Sequence, residues 1–71
     1  MPTFALKVWT GPSGVREVAD KFIAAGFQSV STGTEHVYFT AEGTTPEGAA
    51  WDAGVYIEQK IGWTWMRPRP V

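Results

Sequence analysis

The segment VREVADKFIAAG, residues 15–26, decides the fold, because it is the most clearly patterned helix in the chain. Its apolar residues recur at i, i+3, i+4, i+7 and i+8, the spacing of one face of an amphipathic helix. This predicted inner face consists of Val15, Val18, Ala19, Phe22 and Ile23. Ser13 is the predicted N-cap, since its hydroxyl can accept a hydrogen bond from a first-turn amide. Gly26 is predicted to end the helix in the left-handed conformation.

The segments on either side of this helix alternate as β-strands do. Residues 3–10 read TFALKVWT and residues 36–41 read HVYFTA, and in both the side chains divide between two faces. Residues 27–32 form a more polar strand, and the Gly33–Thr34 turn that follows predicts a hairpin. The face predicted to pack against helices carries Phe4, Leu6, Val8, Val37 and Phe39. The opposite face carries Ala5, Lys7, Trp9, His36, Tyr38 and Thr40.

A second helix is predicted from Pro46 to about Lys60, with Thr45 as its N-cap and proline in the first helical position. Its expected inner stripe is Ala50, Ala53, Gly54, Ile57 and Ile61, widened by Trp51 and Val55. Gly62 ends this helix. A last strand is predicted over residues 63–66, and residues 67–71 form a short Pro-rich tail that cannot extend it, because proline lacks an amide proton.

The resulting order is β-α-β-β-α-β in a single α+β domain spanning residues 1–71. Right-handed crossovers place both helices on one face of a four-stranded antiparallel sheet. The expected strand order is 4-1-3-2. This arrangement resembles the ferredoxin-like split β-α-β fold, which hosts many unrelated activities and therefore implies no single function.

Composition excludes several classes of protein. The 71 residues include four Trp, two Tyr and four Phe, no Cys, and a formal charge of −1. Without cysteine there is no disulfide framework or thiolate metal site, and one histidine makes a zinc site improbable. The near-neutral charge argues against a protein that binds mainly to the phosphate backbone of nucleic acids. With neither a signal peptide nor a membrane-spanning run, we expect a cytoplasmic protein that needs no cofactor.

Two segments suggest chemistry without a complete motif. His36 follows Glu35 and shares a strand face with Tyr38. A histidine beside a carboxylate is the minimum for a tuned general base, although strand alternation points Glu35 to the opposite face. A small dimeric enzyme that uses His36 is one alternative. Residues 11–14, GPSG, join a strand to a helix N-terminus, where amides could meet an anion. A turn with a helix cap explains the same four residues, since the phosphate-loop lysine and glycine spacing are absent.

The aromatic residues of the uncovered sheet face are the main candidates for function. Protein interfaces favour Trp, Tyr, Met and Arg, so the leading hypothesis is a non-enzymatic protein-interaction module that binds a partner or forms a homodimer. Its candidate residues are Lys7, Trp9, Tyr38, Trp63, Trp65, Met66 and Arg67. The last strand could present either Trp63 and Trp65 or Thr64 and Met66, and the sequence leaves that register open.

Single-stranded nucleic-acid binding is the second alternative. RNA-recognition-motif domains stack bases on an aromatic sheet face near basic residues. The third strand with its flanks reads EHVYFTAE, residues 35–42, without that family's basic-Gly-aromatic opening. Glutamates at both ends would repel phosphate, so nucleic acid is the less favoured partner.

The chain as a whole is similar in style to short orphan proteins encoded by phages of actinobacteria. The shared features are the Met-Pro-Thr start, the four tryptophans, the turns rich in Gly, Ala and Thr, and the lack of cysteine. Many such proteins bind and redirect one host protein. The resemblance therefore implies a phage or mobile-element accessory protein acting in the host cytoplasm.

Overall fold

The structure is a computed structural model that describes residues 2–71. It contains two helices and four strands, which confirms the predicted α+β class with a four-stranded antiparallel sheet. In chain order the elements are β1 (Thr3–Trp9), α1 (Val15–Ala25), β2 (Gln28–Thr32), β3 (His36–Glu42), α2 (Pro46–Lys60) and β4 (Arg69–Pro70).

The sheet has the order β2-β3-β1-β4, which reads 4-1-3-2 from the opposite edge. The two central strands, β1 and β3, pair along their whole length, from Thr3 opposite Glu42 to Trp9 opposite His36. The alternation read from the sequence therefore corresponds to real faces. Leu6, Val8, Val37 and Phe39 are at most 1% exposed.

The fourth strand is not where the sequence pattern put it. Residues 63–66 are irregular, and the paired residues are Arg69 and Pro70, opposite Lys7 and Leu6. The expectation that residues 67–71 form a tail outside the sheet is therefore wrong. A proline is tolerated here because an edge strand has one side that donates no sheet hydrogen bond. The next residue, Val71, donates its amide to the carbonyl of Ala5 at 3.1 Å.

Helix α1 packs through the predicted face, except at its last position. Val15, Val18, Ala19 and Phe22 are buried, whereas Ile23 is 60% exposed and belongs to the surface. Phe22 lies edge-on to Phe39 of β3, with ring centroids 5.2 Å apart. Gly26 has φ 95° and donates its amide to the carbonyls that end the helix, as predicted. The predicted Ser13 cap is wrong, because Gly14 occupies the N-cap position and no side chain caps the helix.

Helix α2 has the predicted bounds and cap, and its buried stripe contains three of the five predicted residues, with Gly54 and Ile61 only half-buried. The Thr45 hydroxyl accepts a hydrogen bond from the Gly48 amide at 3.0 Å. Ala49, Ala50, Ala53 and Ile57 are buried. The predicted widening of this stripe by Trp51 and Val55 is wrong: Trp51 is 69% exposed and Val55 is 38% exposed. Small alanines on the buried side let α2 lie close to the sheet, and this leaves its large apolar side chains outside.

No helix within residues 2–71 combines the length and apolarity that crossing a bilayer requires.

Candidate functional site

One face of the sheet is uncovered and carries a row of polar, charged and aromatic side chains across all four strands. Strand register puts Ser31 of β2 opposite Tyr38, Tyr38 opposite Lys7, and Lys7 opposite Arg69. The neighbouring row pairs Trp9 with His36. We call this surface the open face, defined by Ser31, Tyr38, Lys7, Arg69, Trp9 and His36.

The open face has an uneven charge distribution. Lys7 and Arg69 lie directly opposite each other on the neighbouring strands β1 and β4. Two like charges in this position destabilise the strand pair. The strand carboxylate that shares this face, Glu42, pairs with Thr3, four residues along β1 from Lys7. At about 3.4 Å per residue this separation is about 14 Å, beyond a Debye length at physiological salt. The centre of the open face is therefore locally cationic in a chain with net charge −1.

Trp9 is exposed at the end of β1 and stands on a well-fixed piece of backbone. Its side chain is 63% exposed. The next two amides, of Thr10 and Gly11, both donate to the carbonyl of Glu35, at 2.8 and 3.2 Å. These bonds tie the end of β1 to the start of β3. The Gly11 amide of the GPSG turn is thereby used internally, and the Gly14 amide donates to the Gly11 carbonyl at 3.4 Å, which weakens the case for an anion site there.

The structure settles the orientation of residues 63–66. Met66 is only 4% exposed and belongs to the core, so it does not supply exposed surface as a candidate interaction residue would. Trp65 is 62% exposed, while Trp63 is partly buried against the core. The centroids of the two indole rings lie 5.7 Å apart, with the ring planes tilted by 37°, so Trp65 packs against a partly buried neighbour. Arg67 is exposed.

Trp9 and Trp65 lie toward the same end of the sheet. Strand β4 is antiparallel to β1 with Arg69 opposite Lys7, so the residues preceding Arg69 run toward the end of β1 that carries Trp9. We call this region the tryptophan end, defined by Trp9, Trp63, Trp65 and Arg67. Four of the seven candidate residues thus belong to the tryptophan end, Lys7 and Tyr38 lie on the adjoining open face, and Met66 lies in the core.

A second feature lies away from the open face, between α2 and the C-terminal segment. It is a groove of about 380 Å³. Its helix wall carries Glu47, Trp51, Val55 and Glu58. Its opposite wall carries Thr64, Arg67, Pro68 and Pro70, and its floor carries Ala50, Gly54 and Met66. We call it the α2 groove.

Two important residues were missed by sequence reasoning. Arg69 was assigned to an unpaired tail, although the alternation of Arg and Pro over residues 67–70 is itself a strand-like pattern. Trp51 was assigned to the inner stripe of α2. Trp51 is four residues from both Glu47 and Val55 and seven residues from Glu58. This spacing places the four side chains on one helical face, separate from the buried stripe.

The remaining polar candidates are scattered. His36 is half-buried on the open face, with its ring centroid 6.2 Å from that of Tyr38. Over residues 2–71, no three side chains of the metal-binding types come together. No protein-family model, curated protein or solved structure matches this chain.

Proposed function

We propose that this chain is a small, non-enzymatic protein-interaction module that binds its partner, or a second copy of itself, through the tryptophan end and the adjoining open face. The observation that carries the proposal is the exposure of Trp9 and Trp65, at 63% and 62%. Exposed tryptophans supported by packed neighbours are the residues on which interfaces depend most.

The energetic argument rests on the small size of the core. A tryptophan can bury about 150–250 Å², so leaving about 60% of it in water forgoes about 2–4 kcal/mol at about 25 cal/mol per Å². Net stability in a domain this small is only a few kcal/mol. Two such side chains outside the core therefore leave a substantial hydrophobic stabilisation unused. Burial against another protein would supply it.

The ferredoxin-like assignment of the fold is consistent with this role. That topology leaves one sheet face free of helices, and the free face is where Lys7, Tyr38 and Trp9 lie. Together with the stylistic likeness to small phage proteins, this supports an accessory protein that acts by occupying a surface of a host protein.

The test compares the wild type with the double variant Trp9→Ala/Trp65→Ala, using Ile23→Ala, which removes an exposed apolar side chain of α1 on another surface, as the control. Sedimentation equilibrium measures self-association, and calorimetric titration measures binding to a partner isolated by affinity capture. We expect the double variant to lose association by tenfold or more, with an unchanged far-ultraviolet circular dichroism spectrum. Unchanged association in a folded double variant would refute the proposal.

Single-stranded nucleic acid is the second candidate, favoured by the Lys7–Arg69 pair beside Tyr38. Cations that meet phosphates and aromatic rings that stack on bases are the usual means of such binding. Binding of an oligothymidylate at low salt, weakening steeply as salt rises and lost in Lys7→Glu, would support it. No binding at low salt would remove this candidate.

A further inference from the structure

The α2 groove has two walls of different chemistry. The helix wall presents two aromatic or aliphatic side chains, Trp51 and Val55, between two carboxylates, Glu47 and Glu58. Two of the four residues on the opposite wall are prolines, of which Pro68 is buried and Pro70 half-buried. The two walls approach each other at Gly54, where a Cβ would lie 3.5 Å from Cδ of Pro68.

We propose that the α2 groove binds an extended, proline-containing peptide segment of a partner protein that carries a basic residue at each end. This site does not use Trp9 or Trp65, although it shares Arg67 with the tryptophan end, and it goes beyond the function proposed above. Its occupant is argued from the length of the groove, the nature of its walls and its charge.

The spacing of the two carboxylates sets the length of the ligand. Glu47 and Glu58 are eleven residues apart on one face of α2. At about 1.5 Å per residue this corresponds to about 16 Å along the helix axis. A polyproline II chain advances about 3.1 Å per residue, so its basic side chains would be about five residues apart.

The walls favour a ligand held by side-chain packing. Pro68 and Pro70 have no amide protons, so this wall offers few donors to an incoming strand. A polyproline II segment needs no backbone partner, because its backbone stays solvated, and it docks in grooves lined by aromatic residues. Trp51, at 69% exposure, provides that aromatic surface in the middle of the groove.

Charge selects basic rather than acidic flanks. The groove is lined by two carboxylates and one guanidinium, that of Arg67, so the lining is net negative. A cation beside each glutamate gains modest attraction at this exposed surface, and the placement of the pairs contributes chiefly to specificity. An arginine near Trp51 gains a further contribution from the indole face.

The experiment titrates the full chain, labelled with nitrogen-15, with the capped hexapeptide Arg-Pro-Leu-Pro-Pro-Arg. Amide resonances report where the peptide binds. We expect shifts in α2 and in Thr64–Arg67, Arg69 and Val71. Trp51→Ala should weaken binding about tenfold or more. Glu47→Gln/Glu58→Gln should weaken it about threefold to tenfold and reduce its salt dependence. Ile23→Ala, which removes an exposed apolar side chain of α1 that belongs to neither the α2 groove nor the tryptophan end, should leave affinity within about twofold.

Several outcomes would overturn the proposal. They are the absence of any shift at millimolar peptide, shifts confined to the open face, or equal effects of Trp51→Ala and Ile23→Ala. Equal binding of the charge-reversed hexapeptide Glu-Pro-Leu-Pro-Pro-Glu would refute the role of the carboxylates. Self-association that is abolished by Trp51→Ala, without peptide binding, would assign the groove to a second copy instead. If the Trp9 and Trp65 variants do not affect association, the proposed function fails, but the peptide titration still tests the α2 groove.

Discussion

Replacing Gly54 with alanine should stabilise the protein, which is unusual for a core-adjacent substitution. Gly54 lies inside α2, where glycine costs about 1 kcal/mol relative to alanine. The added Cβ would meet Pro68 Cδ at 3.5 Å, an ordinary van der Waals distance. The backbone gain is therefore kept, and part of a methyl group is buried as well. We expect the free energy of unfolding to rise by about 1 kcal/mol and the Tm by about 4–8 °C.

Gly43 provides the opposite case within the same chain. It is buried between β3 and α2, and a Cβ there would lie 2.9 Å from Cβ of Ala49 and 3.0 Å from that residue's Cα and backbone nitrogen. Backbone atoms of a helix cannot move aside as a flexible side chain can. Gly43→Ala should therefore lower the free energy of unfolding by about 1–3 kcal/mol, the usual cost of overpacking.

Urea denaturation followed by far-ultraviolet circular dichroism measures both changes, provided that the slope with denaturant stays constant among the variants. The opposite signs of the two substitutions are the central expectation. A destabilising Gly54→Ala would mean that Pro68 lies closer to α2 than this structure places it. A neutral Gly43→Ala would contradict the close approach of β3 to the first turn of α2.

Three further substitutions test other contacts in the same assay. Met66→Ala should cost about 2–5 kcal/mol because Met66 is a core residue at 4% exposure, and a loss below about 0.5 kcal/mol would contradict its burial. Thr45→Ala removes the α2 cap and should cost about 1 kcal/mol, with Thr44→Ala as the neutral control. Tyr56→Phe keeps the ring packed against Phe27 but loses the hydroxyl bond to the Ala25 carbonyl, for about 0.5–1.5 kcal/mol; an unchanged stability would show that this bond contributes nothing.

The central part of the fold was readable from the sequence because local and tertiary requirements agree there. Leu6 and Val8 on β1, and Val37 and Phe39 on β3, alternate with polar or amphipathic residues, and both strands have one face on the core. Helix α1 has a single apolar stripe between a Gly-Pro turn and Gly26. Such elements have one arrangement that buries their apolar residues.

The C-terminal third was harder to predict because its apolar residues exceed the available buried space. Residues 63–66 alternate like a strand, but only Met66 is fully buried there and the pairing with β1 is made by Arg69 and Pro70. On α2, Trp51 is as apolar as the residues of the buried stripe, yet alanines fill that stripe because the sheet lies too close for an indole. Spacing alone cannot decide which of two apolar faces is buried.

The candidate site was predictable to the same extent as the strands that carry it. Lys7, Trp9 and Tyr38 were placed on one face from alternation, and the register puts them in adjacent rows. The strand position of Arg69 could not be predicted, because a proline on each side of it argues against a strand. The α2 groove could not be predicted either. It is formed by two segments, α2 and residues 64–70, and their contact depends on the position of β4, which the sequence pattern does not predict.

The two sheet edges have a consequence for how this protein behaves at high concentration. The β4 edge is only two residues long and ends in Pro70, and the β2 edge is broken by a bulge between Gln28 and Ser31, with Ser29 at φ 55°. Neither edge offers the long, flat row of unpaired amides and carbonyls on which strands of other molecules can add. An aromatic-rich chain of this size is thereby protected from growing into fibrils edge to edge, even though three of its tryptophans remain in water.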